Sequence, residues 1–124
     1  MTMNINHFLV FSILYLVFCI IGKMILILVS FESNEDAERC ANYLIDNKLA
    51  ACVEIYPVKN FYVWKGEKVA ANEFSGIIKT EDGYFEKVEQ ALKKILPYEI
   101  PQIVEIKASN ANKVYLDWLQ KQVK

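Results

Sequence analysis

The stretch from 49 to 80 reads LAACVEIYPVKNFYVWKGEKVAANEFSGIIKT and decides the fold. It shows no helical periodicity and is rich in Val, Ile, Tyr, Phe and Trp, which favour extended strands. A turn-forming segment, KGEK at 65–68, interrupts it in the middle. The pattern therefore predicts two long antiparallel strands, about 51–64 and 68–80, with Pro57 at a bulge or an edge position.

The segments before this hairpin predict a strand followed by a helix. Met24–Val29 is a short, continuous apolar run, which is typical of a buried central strand. Ser33 and Asp36 have the spacing of a capping box, so a helix is expected to begin there and to end near Asn47. The chain thus enters the hairpin through a β–α unit.

After the hairpin, the pattern predicts a helix, a strand and a second helix. Glu81 and Asp82 would open the first helix with negative charge at its N-terminus, and Pro97 would end it. A fourth strand is predicted over 102–108 and a last helix from about Asn112. The order βαββαβα, with right-handed crossovers, predicts a ferredoxin-like α+β sandwich, an antiparallel sheet with helices on one face.

The predicted hairpin strands are longer than the usual strand of about 5–6 residues, so their outer half should project from the domain. This half carries apolar side chains that would be exposed, namely Tyr56, Phe61, Tyr62, Val63 and Trp64. Exposed apolar patches and unpaired strand edges predict a binding partner. The simplest partner is another copy of the chain in closed symmetry.

The composition and charge exclude several classes of function. The chain has 124 residues, the length of one domain, and its formal net charge of −1 argues against a general nucleic-acid binder. Cys19, Cys40 and Cys52 form no C-x-x-C pair, which disfavours a disulfide scaffold or a zinc knuckle. His7 is the single histidine, so residues 24–124 cannot house a Ser-His-Asp triad, a Cys-His pair or a histidine-ligated metal.

Residues 1–23 form a hydrophobic extension whose composition differs from that of the domain at 24–124. In the stretch FLVFSILYLVFCIIG at 8–22, thirteen of the fifteen residues are apolar and none is charged. Three interpretations stay open: an untranslated extension with Met24 as the true start, a short membrane anchor, or a poor export signal. Because Lys23 follows the segment, an anchor would keep the domain in the cytoplasm, and the chain would touch a membrane only if the extension is retained.

Five motifs occur together and in one order after residue 24. They are LAACV at 49–53, FYVWKG at 61–66, EF at 73–74 leading to IKT at 78–80, PYEIPQI at 97–103, and YLDWL at 115–119. In this combination the sequence resembles the CutA family of divalent-cation tolerance proteins over essentially all of 24–124.

The resemblance implies a ferredoxin-like homotrimer in the cytoplasm, in which long hairpins wrap round the neighbours' sheets. It also implies a link to tolerance of copper and other divalent metals, with no accepted catalytic activity. The family's trimer is similar to the nitrogen-signalling trimers, which bind small effectors in clefts between subunits.

The sequence departs from this family at positions proposed to bind copper. Some members carry a Cys at the end of the first strand and a His pair just before Pro-Tyr. The matching residues here are Val29, Ile95 and Leu96, and Gln102 stands where a Glu is common. Aliphatic side chains cannot ligate a metal, so a copper site of that type is not expected. Cys52 is the soft-metal candidate that remains, provided that three copies converge at a trimer axis, and its alternative role is a small buried core residue. A divalent cation or copper is the only cofactor that the sequence suggests.

Six further residues are candidates for a ligand cleft or for the trimer interface, namely Tyr62, Trp64, Glu73, Lys79, Tyr98 and Trp118. Aromatic side chains are the usual anchors of protein interfaces, and they also line ligand pockets. Glu73 and Lys79 share one face of a predicted strand. Six residues at 3.3 Å each place them about 20 Å apart, so each needs a partner on another strand or subunit.

Two functions of different classes follow. The leading hypothesis is a non-enzymatic cytoplasmic homotrimer that contributes to metal tolerance by binding or signalling. The alternative is a trimeric small-molecule sensor, in which Glu73, Lys79 and Tyr98 would meet a ligand between subunits. An enzyme of the acylphosphatase type is disfavoured, because its phosphate-binding loop needs Gly and Arg and residues 30–34 read SFESN.

Overall fold

The computed structural model describes residues 23–124 together with residues 9, 10, 12 and 13. His7, Cys19 and most of the hydrophobic extension at 1–23 lie outside the described residues. Among those that are described, no helix is long and apolar enough to cross a membrane. From residue 24 on, the elements are β1 (Met24–Phe31), α1 (Asn34–Asp46), β2 (Cys52–Trp64), β3 (Glu67–Glu81), α2 (Phe85–Ile95), β4 (Ile103–Lys107) and α3 (Lys113–Gln122).

The four strands form one antiparallel sheet in the order β2-β3-β1-β4. The β1–β3 ladder ends at the pair Phe31–Phe74, whereas the β2–β3 ladder continues to the pair Trp64–Glu67. The residues between these two pairs, 58–73, extend past the end of β1 as a two-stranded ribbon, called the outer hairpin below. The ferredoxin-like α+β class and the extended hairpin predicted from the sequence are confirmed.

The core lies between one face of the sheet and helices α1 and α2. Neighbouring residues of a strand point to opposite faces, and the odd-numbered residues of β1 are the ones that face the helices. The largest side chains of this core are Ile25, Ile27, Val29, Phe31, Leu44, Ile78, Val88 and Leu92. Each such side chain contributes roughly 1.5–3 kcal/mol to stability on burial, so this layer fixes the sheet on which the hairpin is built.

The other face of the sheet carries apolar side chains that stay accessible in the single subunit. In β4, Val104 is 45% exposed and Ile106 is 44% exposed. The strand register places both beside half-buried leucines of β1, on the side away from the core. This surface is called the open face and consists of Leu26, Leu28, Tyr56, Ile77, Val104 and Ile106.

Helix α1 begins as the sequence predicts. Ser33 is its N-cap, and its Oγ accepts a hydrogen bond from the backbone N–H of Asp36 at 3.1 Å. The carboxylate of Asp36 turns away to Arg39 and Tyr98, so only the Ser33 half of the expected reciprocal pair is formed.

One local prediction needs correction, and one open alternative is resolved. Helix α2 begins at Phe85, not at Glu81 and Asp82, because Glu81 pairs with Met24 and prolongs β3. The prediction for Pro57 left a bulge or an edge open. Pro57 lies on β2, an edge strand of the sheet, so the edge alternative is confirmed. It pairs with Phe74 of β3 in regular register, so no bulge forms there.

Candidate functional site

A cleft of about 760 Å³ lies between the outer hairpin, the end of β1 and the segment at 97–102 that precedes β4. The register explains why these parts of the chain meet. Val29 of β1 pairs with Ile103 of β4, and the two strands are antiparallel. The residues that follow β1 therefore lie beside the residues that precede β4. The lining residues include Ser30, Phe31, Glu32, Asn60, Phe61, Tyr62, Val63, Trp64, Glu73, Pro97, Tyr98, Glu99, Ile100 and Gln102.

The cleft brings together four of the six residues that the sequence singled out. These are Tyr62, Trp64, Glu73 and Tyr98. The two strands of the outer hairpin supply the first three, and the segment after α2 supplies Tyr98.

Lys79 and Trp118 lie outside this cleft. Lys79 sits far along β3 from the outer hairpin, where it pairs with the carboxylate of Glu54. That hydrogen bond raises the pKa of Lys79 above its ordinary value. Trp118 lies on α3, 45% exposed, with its ring centroid 5.6 Å from that of Tyr115.

Tyr98 ties the segment at 97–102 to the start of α1. Its hydroxyl donates to Asp36 Oδ2 at 2.5 Å and accepts from the backbone N–H of Glu32 at 2.8 Å. Arg39 holds the other oxygen of Asp36 at 3.0 Å. Burial, together with the bond to Asp36, raises the pKa of Tyr98 far above its ordinary value, so the hydroxyl stays protonated and keeps donating. This network fixes one wall of the cleft.

Tyr98→Phe is expected to lower the free energy of unfolding by about 1–3 kcal/mol, because it leaves the partly buried Asp36 and the N–H of Glu32 without their partner. Urea denaturation at one protein concentration measures the loss. Tyr43→Phe is the control, since Tyr43 is 43% exposed on α1. Equal stabilities for the two variants would show that the hydroxyl of Tyr98 is not a structural tie.

The charged side chains among the lining residues named above are all acidic. Three carboxylates line the cleft, from Glu32, Glu73 and Glu99, and the lining named above contains no Lys or Arg. Glu73 Oε1 accepts from Asn60 Nδ2 at 3.0 Å, which aims that carboxylate. The amide oxygen of Gln102 accepts from the hydroxyl of Ser30.

A lysine at the hairpin turn contacts the rim of the cleft. Lys65 Nζ lies 5.5 Å from the ring centroid of Trp64, a cation–π distance. The same ammonium is 3.9 Å from Glu99 Oε2. An aromatic face and a carboxylate of the cleft therefore already hold one ammonium group of the chain itself.

Comparison with known proteins identifies the family of the chain. The family model described as the CutA1 divalent ion tolerance protein matches residues 25–122. The chain belongs to the CutA1 family. A divalent-cation tolerance protein CutA from Archaeoglobus fulgidus is 40% identical over 97 residues, covering 78% of this chain and 95% of the relative. The same comparison with CutA from Thermus thermophilus gives 37% identity over 95 residues, with 76% and 92% covered.

Solved CutA structures have the same fold. A structure from A. fulgidus, described as a periplasmic divalent cation tolerance protein, has a TM-score of 0.79 at 39% identity and covers 82% of this chain and 99% of its own. A CutA1 structure from T. thermophilus has a TM-score of 0.77 at 34% identity, with 82% and 99% covered. The resemblance drawn from the five motifs is thereby confirmed.

The positions that match the proposed copper ligands of CutA proteins belong to the core in this chain. Val29 is fully buried, Leu96 is 5% exposed, and Ile95 packs against the same core cluster. Within residues 23–124 and the four described residues before them, no three His, Cys, Asp or Glu side chains are grouped so that they could hold a metal ion. The two described cysteines differ, since Cys40 is buried in α1 and Cys52 is half-buried at the start of β2, opposite Lys79.

The buried thiol of Cys40 makes stability depend on alkaline pH. Burial raises its pKa from 9.0 to about 11, against the opposing effect of Arg39. The folded state holds the proton more tightly than the unfolded chain, so this contribution is complete below pH 9 and is lost as the pH rises through about 11. Between pH 8 and pH 10, the unfolding free energy of Cys40→Ala should fall less steeply than that of the parent chain. Urea denaturation of both chains at a series of pH values measures the two slopes, and equal slopes would contradict the prediction.

Sequence reasoning missed Glu32, Asn60 and Glu99 as lining residues of the cleft. The signal for Glu32 and Glu99 was present in the predicted topology. In this fold β1 and β4 are antiparallel neighbours, so polar residues after β1 and before β4 must come together at one edge. Asn60 could have been found from the predicted hairpin, because cross-strand neighbours on one face interact with each other.

Proposed function

We propose that this CutA1-family chain acts in tolerance of divalent metal ions, copper included, as a non-catalytic homotrimer in the cytoplasm. The observation that carries the proposal is the open face. Six apolar side chains share one side of the sheet, and those of Tyr56, Val104 and Ile106 are 39–45% exposed in the single subunit. A contiguous exposed apolar face of this kind is typical of a surface that another molecule covers. A second and a third copy of the chain are the proposed cover, and three is the number that the family resemblance implies.

Cys52 is the proposed soft-metal ligand of the assembly. In the register of β2 and β3, Cys52 pairs with Lys79, and Glu54, two residues further along β2, pairs with Ile77 of the open face. Cys52 therefore lies on the same side of the sheet as the open face. The proposal requires that three copies pack through that face with Cys52 beside a common axis, because thiolates are the ligands that Cu(I) prefers. Competition of the purified chain with a chromogenic Cu(I) chelator tests this. Cys52→Ser should lose binding, whereas Cys40→Ser, changed at the buried thiol, should keep it.

A deletion strain tests the proposed role in the cell. Loss of the gene should raise sensitivity to copper in growth medium, and the parent sequence should restore tolerance. If the Cys52→Ser chain also restores tolerance, the proposed role in tolerance stands, and direct copper binding by that thiol is contradicted. Unchanged growth of the deletion strain across divalent metals would contradict the tolerance role itself.

A small-molecule sensor is the second candidate, and the cleft beside the outer hairpin favours it. Its volume of about 760 Å³ falls in the range of ligand pockets, and polar and aromatic side chains converge on it. Glu73 and Tyr98 of the sensor hypothesis line this cleft, together with Trp64 and Glu99, whereas Lys79 lies outside it in the single subunit. A thermal-shift screen with cationic, neutral and anionic metabolites tests the proposal, and no stabilisation by any of them would count against it.

A further inference from the structure

We infer that the cleft binds a linear organic polycation, a molecule that carries two or more ammonium groups on an aliphatic chain. The inference rests on the proposal that the cleft is a small-molecule site, and it names the class of ligand. Carboxylates of Glu32, Glu73 and Glu99 come from three separate segments of the chain and are the only charged side chains among the lining residues named above. A cationic ligand would therefore find attraction at several points along the cleft.

The aromatic walls select the shape of this cation. Tyr62, Trp64 and Tyr98 line the same space as the carboxylates. Aromatic faces attract ammonium groups, and their apolar area also accepts the methylene chain between such groups. The contact of Lys65 with Trp64 and Glu99 is an example within the molecule, since an ammonium on a four-carbon stem uses one aromatic face and one carboxylate of this cleft.

The spacing of the acids argues against a metal ion as the ligand of this cleft. A metal needs several ligands around one point, and no three acidic, His or Cys side chains among the described residues are grouped in that way. An extended molecule can meet separate carboxylates one at a time. Anionic metabolites would meet repulsion from the same three acids, so the cleft discriminates against them.

Isothermal titration calorimetry on the full chain tests the inference with spermidine, putrescine, butylamine and Mg²⁺ at one ionic strength. Spermidine should bind at about one molecule per chain and tighter than the monoamine butylamine by about tenfold or more, since each further ammonium adds a charge-assisted contact. Mg²⁺ should neither bind nor displace it. Added salt should weaken binding, because the rim of the cleft is open to solvent.

A matched pair of charge-neutralising variants locates the site. Glu73→Gln keeps an oxygen that can accept from Asn60 and removes the charge, so spermidine affinity should fall by about tenfold. Glu86→Gln removes one acid from the exposed surface of α2 and should leave the affinity unchanged. Trp64→Leu should weaken spermidine binding without changing its salt dependence, because the substitution removes an aromatic face and no charge. Far-ultraviolet circular dichroism confirms that the variants are folded.

Several results would overturn the inference. Equal affinity for spermidine in the Glu73→Gln and parent chains, or full displacement by Mg²⁺ at equal ionic strength, would show general charge attraction without a site. Absence of spermidine binding would also overturn the inference. This holds equally if binding is absent because a neighbouring copy of the chain fills the cleft. Binding of citrate, with loss of citrate binding in Trp64→Leu, would overturn the polycation and keep the sensor proposal.

Discussion

Phe31→Ala is expected to lower the free energy of unfolding by about 3–5 kcal/mol, one of the largest effects available in this chain. The ring is 1% exposed and closes the core at the last pair of the β1–β3 ladder, where the outer hairpin leaves the sheet. Removing it leaves a cavity at the root of the hairpin that the β-sheet backbone cannot collapse to fill. Equilibrium unfolding in urea, at one protein concentration for all variants, measures the loss.

Two further variants make this test specific. Phe61→Ala deletes the same atoms from a side chain that is 66% exposed on the outer hairpin, and should cost much less. Gly76→Ala tests the packing of the same ring. A Cβ at this position would lie 2.7 Å from the ring edge of Phe31 and 3.4 Å from the backbone oxygen of Glu54. The substitution should cost about 1–3 kcal/mol by overpacking, and markedly less once Phe31 is already Ala. Additive effects of the two changes would show that the ring does not fill the space beside Gly76.

Ile106→Glu on the open face is expected to dissociate the proposed homotrimer into single chains. Ile106 is 44% exposed in the subunit, so the fold itself should tolerate a carboxylate there. In the proposed trimer that carboxylate would be buried without a partner, which costs several kcal/mol at each copy. Size-exclusion chromatography with light scattering measures the mass, and circular dichroism checks the fold.

Ile45→Glu is a matched control for this experiment, since Ile45 is 43% exposed but lies on α1, in the helical layer. It should leave the mass unchanged. A trimeric mass for Ile106→Glu would contradict the open face as the surface of self-association. Dissociation by Ile45→Glu, with Ile106→Glu still assembled, would move that surface to the helices.

The long hairpin was predictable because one local signal dominates it. β-branched and aromatic residues on both sides of a short Lys65–Gly66 turn leave no competing structure, and the strands found at 52–64 and 67–81 differ from those predicted by a residue at each boundary at most. The prediction of where α2 begins was wrong for the opposite reason. Acidic residues at 81 and 82 resemble a helix start, but hydrogen bonds to β1 hold Glu81 in the sheet and Gly83, at φ +94°, makes the turn instead.

The candidate site was predictable in part. Aromatic residues of the outer hairpin and Tyr98 were found because their types are unusual for an exposed surface. The bond between Tyr98 and Asp36 was not, because it joins groups 62 residues apart and depends on side-chain conformations that no local pattern specifies. The separation of Lys79 from Glu73 along β3 was predictable from the rise per residue, and within one subunit only Glu73 lines the cleft, because the cleft lies at the outer end of β3.

Native mass spectrometry of the full chain, purified from its own cells without added metal, tests the central claim most directly. The claim is that this CutA1-family chain works as a homotrimer formed through the open face of its sheet. The predicted result is a complex of three chains, each of the 14.4 kDa calculated for the sequence, or less by the extension if that is absent. A single-chain mass at micromolar concentration would contradict it.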